Sequence, residues 1–255
     1  MKGNGRDLPN TDKDSAQEIR LNKFIANSGL CSRRAADTLI SEGKVKVNGS
    51  VVVEMGVKVS LRDKVLVNNE VISVGDKKYV LLNKPRNTIC TRSDENNRKT
   101  VMDILPEKFK HLYPVGRLDR NTTGVLLLTN DGILTQNLLH PSKKIKKIYK
   151  AKLAKRLTQE ELDKLVTAVE LEDGVSSFNK LVELQEDNDF RYGIEIHSGK
   201  NRIIRRMFES IGNEVLKLDR VRFHTFDKKG IARGQWREVK DKELKALEVY
   251  MRTTK

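Results

Sequence analysis

Cysteine is nearly missing from this sequence of 255 residues, which contains only Cys31 and Cys90. Two isolated cysteines cannot build the dense disulfide framework of a small secreted domain. Neither cysteine has a second cysteine or a histidine at the spacing of a zinc site. We therefore expect reduced thiols, no metal and a cytoplasmic location.

Long apolar runs are also missing. The longest runs, such as residues 125–128, fall far short of the roughly 18 apolar residues that a membrane helix needs. Residues 1–16 are polar and lack the apolar centre of a signal peptide. We expect neither a membrane span nor a secretory leader.

Acidic residues are outnumbered, since 50 lysines and arginines face 35 aspartates and glutamates, for a formal net charge of +15. An excess of this size makes a polyanion the first partner to test, with nucleic acid ahead of a membrane surface. The length allows one small and one medium domain. We therefore predict two units and a partner rich in phosphate.

The first unit is predicted to be helical at its start. Residues 1–17 are polar with almost no apolar periodicity, which predicts a disordered tail. Apolar residues then recur at helical spacing from Leu21 to a stop at Gly29, and Ser32 can cap a second helix that stops at Gly43. The pattern predicts two short helices joined by a tight turn.

Alternating valines follow on both sides of Asn48-Gly49, a dipeptide that favours a type I′ hairpin. This completes a helix-helix-hairpin unit over residues 18–75.

A second unit over residues 77–250 has apolar runs at 79–82 and 125–128, typical of strands buried on both faces. Thr158 and Glu161 form a capping-box pattern ahead of a helix. Strands and helices interleave irregularly, which predicts an α+β fold with a central sheet.

The densest chemical segment is the loop at residues 116–124, where Asp119 stands between Arg117 and Arg120 and an apolar strand follows. A rigid strand could hold this carboxylate in place for chemistry. On composition alone, an aspartate that pairs with either arginine or caps a turn is the simpler interpretation.

Two further segments are basic. At 100° per residue, residues 202–209 place apolar and basic side chains on opposite helix faces, which suits a solvated amphipathic helix or a basic edge that holds a carboxylate or phosphates. Residues 143–156 contain eight basic residues and no acidic one, with Tyr149 and Lys147 on the same strand face. Tyr149 could stack on a nucleobase or be a core residue beside solvated lysines.

Taken in order, these segments resemble the pseudouridine synthases of the RsuA/RluB/RluE/RluF type. The resemblance is carried by Gly-Arg-Leu-Asp-Arg at 116–120, Leu-Leu-Leu-Thr-Asn-Asp-Gly at 126–132, Lys-x-Tyr at 147–149 and Asn-Arg-x-Ile-Arg-Arg at 201–206. Residues 18–75 resemble the S4 RNA-binding domain, so residues 77–250 would be the catalytic domain. Within the family, the motifs look most like the large-subunit type B enzymes, with type F and the small-subunit enzymes as alternatives.

The resemblance implies a mixed, mostly antiparallel sheet flanked by helices and isomerisation of one uridine in ribosomal RNA to pseudouridine, without a metal or other cofactor. Asp119 would be the essential carboxylate and could attack the sugar or the base or accept a proton. Arg205 would keep it ionised, and Tyr149 would lie against the uracil. We expect a monomer whose RNA contacts come from the basic residues Arg33, Arg34, Arg117, Arg120, Lys143, Lys144, Lys146, Lys147, Lys200, Arg202 and Arg206.

Two departures and two alternatives stand beside this prediction. Arg86 follows Pro85 where the family usually has glycine, and Ile203 stands where glutamine is common. One alternative is an S4-domain protein that binds ribosomal RNA without catalysis. Such a protein would tolerate another residue at position 119, where this sequence has aspartate. A glycoside hydrolase would need a second carboxylate, and the nearest, Asp131, is predicted to be a turn residue.

Overall fold

The computed structural model describes residues 18–184 and 189–253, so the predicted tail at residues 1–17 lies outside the described residues. The described chain divides into two compact units that separate between Asp76 and Lys77, beside the predicted domain limits. Across those described ranges, no helix is long and apolar enough to cross a membrane.

The first unit contains two helices and short antiparallel strands. The helices are α1 (Leu21–Asn27) and α2 (Arg33–Ser41), and the strands are β1 (Ile19–Arg20), β2 (Val45–Val47), β3 (Ser50–Val51), β4 (Lys58–Val59), β5 (Val65–Val67) and β6 (Glu70–Ile72). Strands β3, β2, β5 and β6 form one sheet in that order, while β1 pairs with β4. Both helices pack their apolar sides on buried valines of the strands.

Local signals in this unit are confirmed. The Ser32 hydroxyl accepts a hydrogen bond from the backbone N–H of Ala35 at 3.1 Å and so caps α2. Asn48 and Gly49 have φ of +50° and +90°, as a type I′ turn requires. Asn68 and Asn69 form a second turn with φ of +50° and +67°, so the predicted single hairpin is extended to four strands.

The second unit is built on one sheet. Its strands are β7 (Tyr79–Lys84), β8 (Tyr113–Pro114), β9 (Thr123–Thr129), β10 (Lys147–Leu153), β11 (Lys180–Leu184), β12 (Arg191–Ile196), β13 (Val215–Phe223), β14 (Phe226–Asp227) and β15 (Trp236–Glu238). Its helices are α3 (Gly132–Leu139), α4 (Gln159–Thr167), α5 (Ile203–Glu209) and α6 (Asp241–Thr253), with 3-10 turns at Val101–Ile104, Glu107–Phe109 and Pro141–Lys143.

The order along this sheet is β11-β12-β10-β13-β9-β7-β15, with β8 on β9 and β14 on β13. Strand β9 is buried along its whole length: Val125 and Leu127 belong to one apolar cluster, and Leu126 and Leu128 belong to another on the opposite face. This confirms the prediction of a strand buried on both faces. The capping box of Thr158 and Glu161 at the start of α4 is confirmed as well.

Strands β9 and β13 run parallel, the one parallel strand pair in the described part of the sheet, and so the predicted mixed, mostly antiparallel α+β fold is confirmed. The two backbones come very close where Gly124 faces Arg220. Gly124 has a φ of +112°, and a Cβ atom built on it would lie 2.1 Å from the carbonyl oxygen of Arg220. Only glycine fits this contact, because the obstructing atoms are backbone atoms that cannot rotate away.

We predict that Gly124→Ala lowers the free energy of unfolding by more than about 2 kcal/mol, because strand separation adds to the cost of a positive φ. Gly212→Ala is the matched control, since Gly212 also has a positive φ of +72° but no atom within 4 Å of the point where a Cβ would lie. That control should cost only about 1 kcal/mol. Chemical denaturation of both variants checks this, and equal losses would contradict the steric argument.

Candidate active site

Asp119 lies in the loop that joins β8 to β9. The carbonyl of Asp119 accepts the backbone N–H of Thr122 at 3.0 Å, which closes a turn. The preceding Leu118 is only 6% exposed and packs in the core, whereas Arg117 and Arg120 are exposed. A buried leucine thus fixes the loop on the sheet and leaves the Asp119 carboxylate partly open to solvent.

Lys84 supports this loop from below, and the sequence interpretation had missed it. Its side chain is fully buried at the end of β7. The three protons of its Nζ atom are shared among four carbonyls, those of Asp119, Arg120 and Thr122 at 3.0, 3.1 and 2.9 Å and that of Pro85 at 3.1 Å. Burial lowers the pKa of Lys84 to about 8, although Cys90 and Asp119 counteract part of that effect. The sequence contained one signal for this residue, which is a lysine at the end of a continuous apolar run.

Arg205 reaches Asp119 from α5. Its Nε atom lies 3.9 Å from Oδ2 of Asp119, and its Nη1 atom donates to the carbonyl of Val215 at 2.6 Å. Burial and the neighbouring Arg202 lower the pKa of Arg205, while Asp119 raises it. The second contact fixes the guanidinium, so the structure favours the interpretation of this helix as an edge that holds a carboxylate.

Tyr149 is 8% exposed and packs with Leu118 and Ile204 in the largest apolar cluster of the second unit. It nevertheless lines the same cavity as Asp119. One side of this tyrosine thus belongs to the core and another faces the cavity, so stacking on a nucleobase stays a prediction.

This cavity has a volume of about 1060 Å³. In the described chain its wall contains two carboxylates, Asp94 and Asp119, and Asp94 is paired with Arg98 at 2.6 Å. The basic residues of the wall are Arg98, Arg117, Lys147, Lys200, Arg202, Arg205 and Arg220. A concave surface of this kind suits an anionic ligand larger than a single nucleoside.

The predicted RNA-contacting residues are not all in this wall. Arg117, Lys147, Lys200 and Arg202 line the cavity, whereas Arg120, Arg206, Lys143, Lys144 and Lys146 do not. Arg33 and Arg34 are exposed in the first turn of α2, in the first unit.

Several of these cations already have partners. Arg206 holds Asp173 with two hydrogen bonds of 2.9 Å, and Lys200 donates to the carbonyl of the same residue at 2.8 Å. Lys146 pairs with Glu195 at 2.8 Å. Their role in RNA contact stays a prediction, and RNA would have to compete with these ion pairs.

Asp131 is not the predicted simple turn residue, but the N-cap of α3. Its carboxylate accepts the backbone N–H groups of Ile133 and Leu134 at 3.1 and 3.0 Å, and it also binds Lys77 at 2.8 Å. Because these partners occupy it and it is absent from the cavity wall, Asp131 offers no second carboxylate beside Asp119.

Cys90 and Arg220 also line the cavity, and neither was predicted. The Sγ atom of Cys90 accepts the backbone N–H of Leu118 at 3.3 Å, and burial raises the pKa of this thiol. Arg220 is 3% exposed. Nothing in the local sequence pattern marks these residues, because their position depends on contacts with distant segments.

The class of protein follows from two matches that fit this arrangement. Residues 78–210 match the profile of the RNA pseudouridylate synthase family, and residues 19–65 match that of the S4 domain. The second unit therefore supplies a pseudouridine synthase fold and the first an S4 domain.

Individual relatives agree. Ribosomal large subunit pseudouridine synthase B of Bacillus subtilis (strain 168) is 43% identical over 89% of this chain and 95% of its own. An uncharacterized RNA pseudouridine synthase of Aquifex aeolicus (strain VF5) is 37% identical over 90% and 94%. A crystal structure of a pseudouridylate synthase aligns with a TM-score of 0.63 at 26% identity, over 90% of this chain and 99% of that one.

The chain belongs to the RNA pseudouridylate synthase family and is an isomerase. The resemblance predicted from the sequence, including its similarity to the type B enzymes, is thereby confirmed.

We predict that Lys84→Met lowers the free energy of unfolding by about 2 kcal/mol or more, because buried carbonyls lose their donor. Turnover at saturating RNA should fall as well, since the Asp119 loop loses its support. Lys78→Met is the control, because Lys78 is exposed next to the same strand and should change stability by less than about 0.5 kcal/mol. Thermal unfolding and single-turnover rates test this, and a stable, fully active Lys84→Met would refute it.

Proposed function

We propose that this enzyme converts a uridine of large-subunit ribosomal RNA to pseudouridine, with Asp119 as the reacting carboxylate. The observation that carries the proposal is the 3.9 Å approach of Arg205 to Asp119 in a basic cavity that Tyr149 also lines. The name of the Bacillus relative supports the choice of RNA. A ribosomal substrate implies a cytoplasmic enzyme, and we propose that it acts as a monomer.

The reaction replaces the bond between N1 of uracil and C1′ of ribose by one between C5 and C1′, and the proton on C5 is exchanged for one on N1. Asp119 either bonds to the sugar or base or accepts a proton while the first bond breaks. The guanidinium of Arg205 stabilises the ionised carboxylate in a site that RNA would close to water.

The target base must leave its stack to reach Asp119, at a cost of a few kcal/mol. Tyr149 stacks against the extruded uracil, with its hydroxyl available for proton transfer near C5. Arg120, exposed beside Asp119, either fills the space that the base vacates or binds a phosphate.

Affinity comes from the remaining basic residues, through phosphate contacts that position the RNA without reading its sequence. The S4 domain would contribute Arg33 and Arg34. The second unit would contribute the lysines near the start of β10, the basic residues of the cavity wall and Arg206 of α5, namely Lys143, Lys144, Lys146, Arg117, Lys200, Arg202 and Arg206.

We predict that Asp119→Asn abolishes pseudouridine formation but keeps most RNA binding, because the side chain keeps its size and loses its ionisable oxygen. Asp119→Ala is tested beside it, since slow deamidation of the asparagine could restore some activity. Pseudouridine mapping in ribosomal RNA and equilibrium binding give the two readouts. Near-wild-type turnover in both variants would overturn the assignment of Asp119 as the reacting carboxylate, whereas RNA binding without turnover in the wild type would favour the binding-only alternative.

Arg205→Ala should collapse the single-turnover rate at saturating RNA while affinity falls only modestly, because the role of Arg205 is towards Asp119. Arg206→Ala is the matched control on the same helix, since Arg206 pairs with Asp173 and should affect affinity alone. Equal rate losses in both variants would contradict this assignment.

The double variant Lys144→Ala/Lys146→Ala should show the opposite behaviour to Arg205→Ala. Its binding should weaken, and the slope of log affinity against log salt should shrink by up to about 0.7 to 0.9 per phosphate contact removed. The rate at saturation should hardly change, since such contacts stabilise ground and transition states equally. A lost rate with an unchanged salt slope would show that the basic groups are wrongly assigned.

A further inference from the structure

Two cations lie beside Tyr149 in the cavity wall, on neighbouring strands. Lys147 shares the face of β10 with Tyr149, because alternate residues of a strand point the same way. Arg220 on β13 is the cross-strand partner of Tyr149. All three residues line the cavity, so the surface predicted to hold the uracil is flanked by an ammonium and a guanidinium.

Arg220 is buried with unused hydrogen-bonding capacity. Its Nε atom donates to the carbonyl of Val125 at 2.8 Å, and its guanidinium carbon lies 4.7 Å from the centre of the Phe223 ring. Its Nη2 atom is buried and has no hydrogen-bond partner among the described residues. Buried donors are almost always satisfied, so Arg220 is a cavity-lining residue whose guanidinium is incompletely compensated by the described residues.

Lys147 is only partly satisfied. Its Nζ atom donates to the carbonyls of His197 and Ser198 at 2.7 and 3.1 Å, which uses two of its three protons. Burial lowers the pKa of Lys147 to about 8, and the charge of Arg220 contributes to the shift. Lys147 on β10 and Arg220 on the neighbouring β13 thus both bring a positive charge to the same cavity wall.

No carboxylate of the described residues pairs with either cation. Other lysines of the same segment do have one: Lys146 pairs with Glu195, and Lys152 pairs with Asp189. Two neighbouring cations, Arg220 buried and Lys147 half-buried, with no carboxylate partner among the described residues form a site for an anion.

The position beside Tyr149 favours the base over the backbone as the source of that anion. When the bond between N1 and C1′ breaks, its electron pair stays on uracil, and the negative charge spreads over N1 and the two carbonyl oxygens. The carbon C1′ is left short of electrons. The carboxylate of Asp119 relieves this either by forming a bond to C1′ or by accepting a proton from the neighbouring C2′. A phosphate is strongly hydrated and would sooner meet the exposed cations of the rim.

We propose that Lys147 and Arg220 form a cation pair that binds the uracil anion and thereby accelerates cleavage of the glycosidic bond. This inference rests on the proposed function, because it requires a uridine in this cavity. The proposal gives Lys147 a different role from the exposed lysines near it. Lys147 would act on the base, whereas those lysines would bind phosphates. Charge that develops only during bond cleavage is stabilised best by such fixed cations in a site closed to water.

The test compares Lys147→Met, Lys147→Arg and the control Lys152→Met, which removes a lysine from the opposite face of the same strand. We expect Lys147→Met to lower the single-turnover rate at saturating RNA about 100-fold, the scale of one lost preorganised donor. Its RNA affinity and salt slope should stay near wild type, whereas its melting temperature should fall modestly, because the carbonyls of His197 and Ser198 lose a donor. Lys147→Arg should restore part of the rate, and Lys152→Met should keep it.

A second measurement uses RNA with 5-fluorouridine at the target position, followed by nuclease digestion and chromatography to measure loss of that nucleoside. Fluorine stabilises the uracil anion, so the rate ratio of wild type to Lys147→Met should be smaller than with uridine. An equal ratio for both RNAs, or a loss of affinity with a smaller salt slope at an unchanged rate, would overturn the proposal.

The two levels of inference can fail separately. Wild-type enzyme that forms no pseudouridine in ribosomal RNA would overturn the proposed function and the cation pair with it. Normal conversion by wild type together with an unimpaired Lys147→Met would overturn the cation pair alone.

Discussion

The close parallel contact of β9 with β13 is the constraint on which the active site depends. It brings Gly124 against the backbone of Arg220 and lets Thr123 donate to Asp219 at 2.6 Å. The loop that carries Asp119 ends at this contact, and the cavity floor begins there with Arg220. A side chain on Gly124 would separate the carboxylate from β13 and from the next strand, β10, which carries both Tyr149 and Lys147. The close approach of Gly124 to the backbone of Arg220 thus sets the distances between the side chains of the Asp119 loop, β13 and β10.

Charge in the second unit is divided into two populations. One is neutralised locally, as Arg206 is by Asp173, and Asp219 likewise holds Arg233 at 3.0 Å. The other, which includes only part of the cavity wall, has weak or no compensation: Arg205 stays 3.9 Å from Asp119, and Arg220 pairs with no described carboxylate. Compensated pairs stabilise the loops around the site, whereas uncompensated cations inside it are available to a substrate. An excess of basic residues in the sequence cannot distinguish these populations.

Features that depend on neighbouring residues could be predicted from the sequence, whereas contacts between distant segments could not. The caps at Ser32 and Thr158 and the turn at Asn48-Gly49 were predictable, because each depends on residues within one turn. Asp119, Tyr149 and Arg205 were found through family motifs, and the structure places them around one cavity. The contacts of Lys84 and Arg220 and the partners of Arg206 were not predictable, since each contact joins segments about 30 to 100 residues apart. The capping role of Asp131 was misjudged because a buried N-cap and a turn share the same short motif.

The way in which the Asp119 loop is held suits the reactive role that we propose for its carboxylate. Lys84 binds the main-chain carbonyl of Asp119 and not its side chain. Arg205 is fixed by the carbonyl of Val215 and approaches the carboxylate only to 3.9 Å. Strong hydrogen bonds are thus made to the backbone, while no described residue donates one to the carboxylate oxygens. Direct donors would hold the loop equally well but would weaken those oxygens as nucleophile or base. The backbone of Asp119 is therefore held rigidly, while its carboxylate oxygens stay available for the proposed reaction.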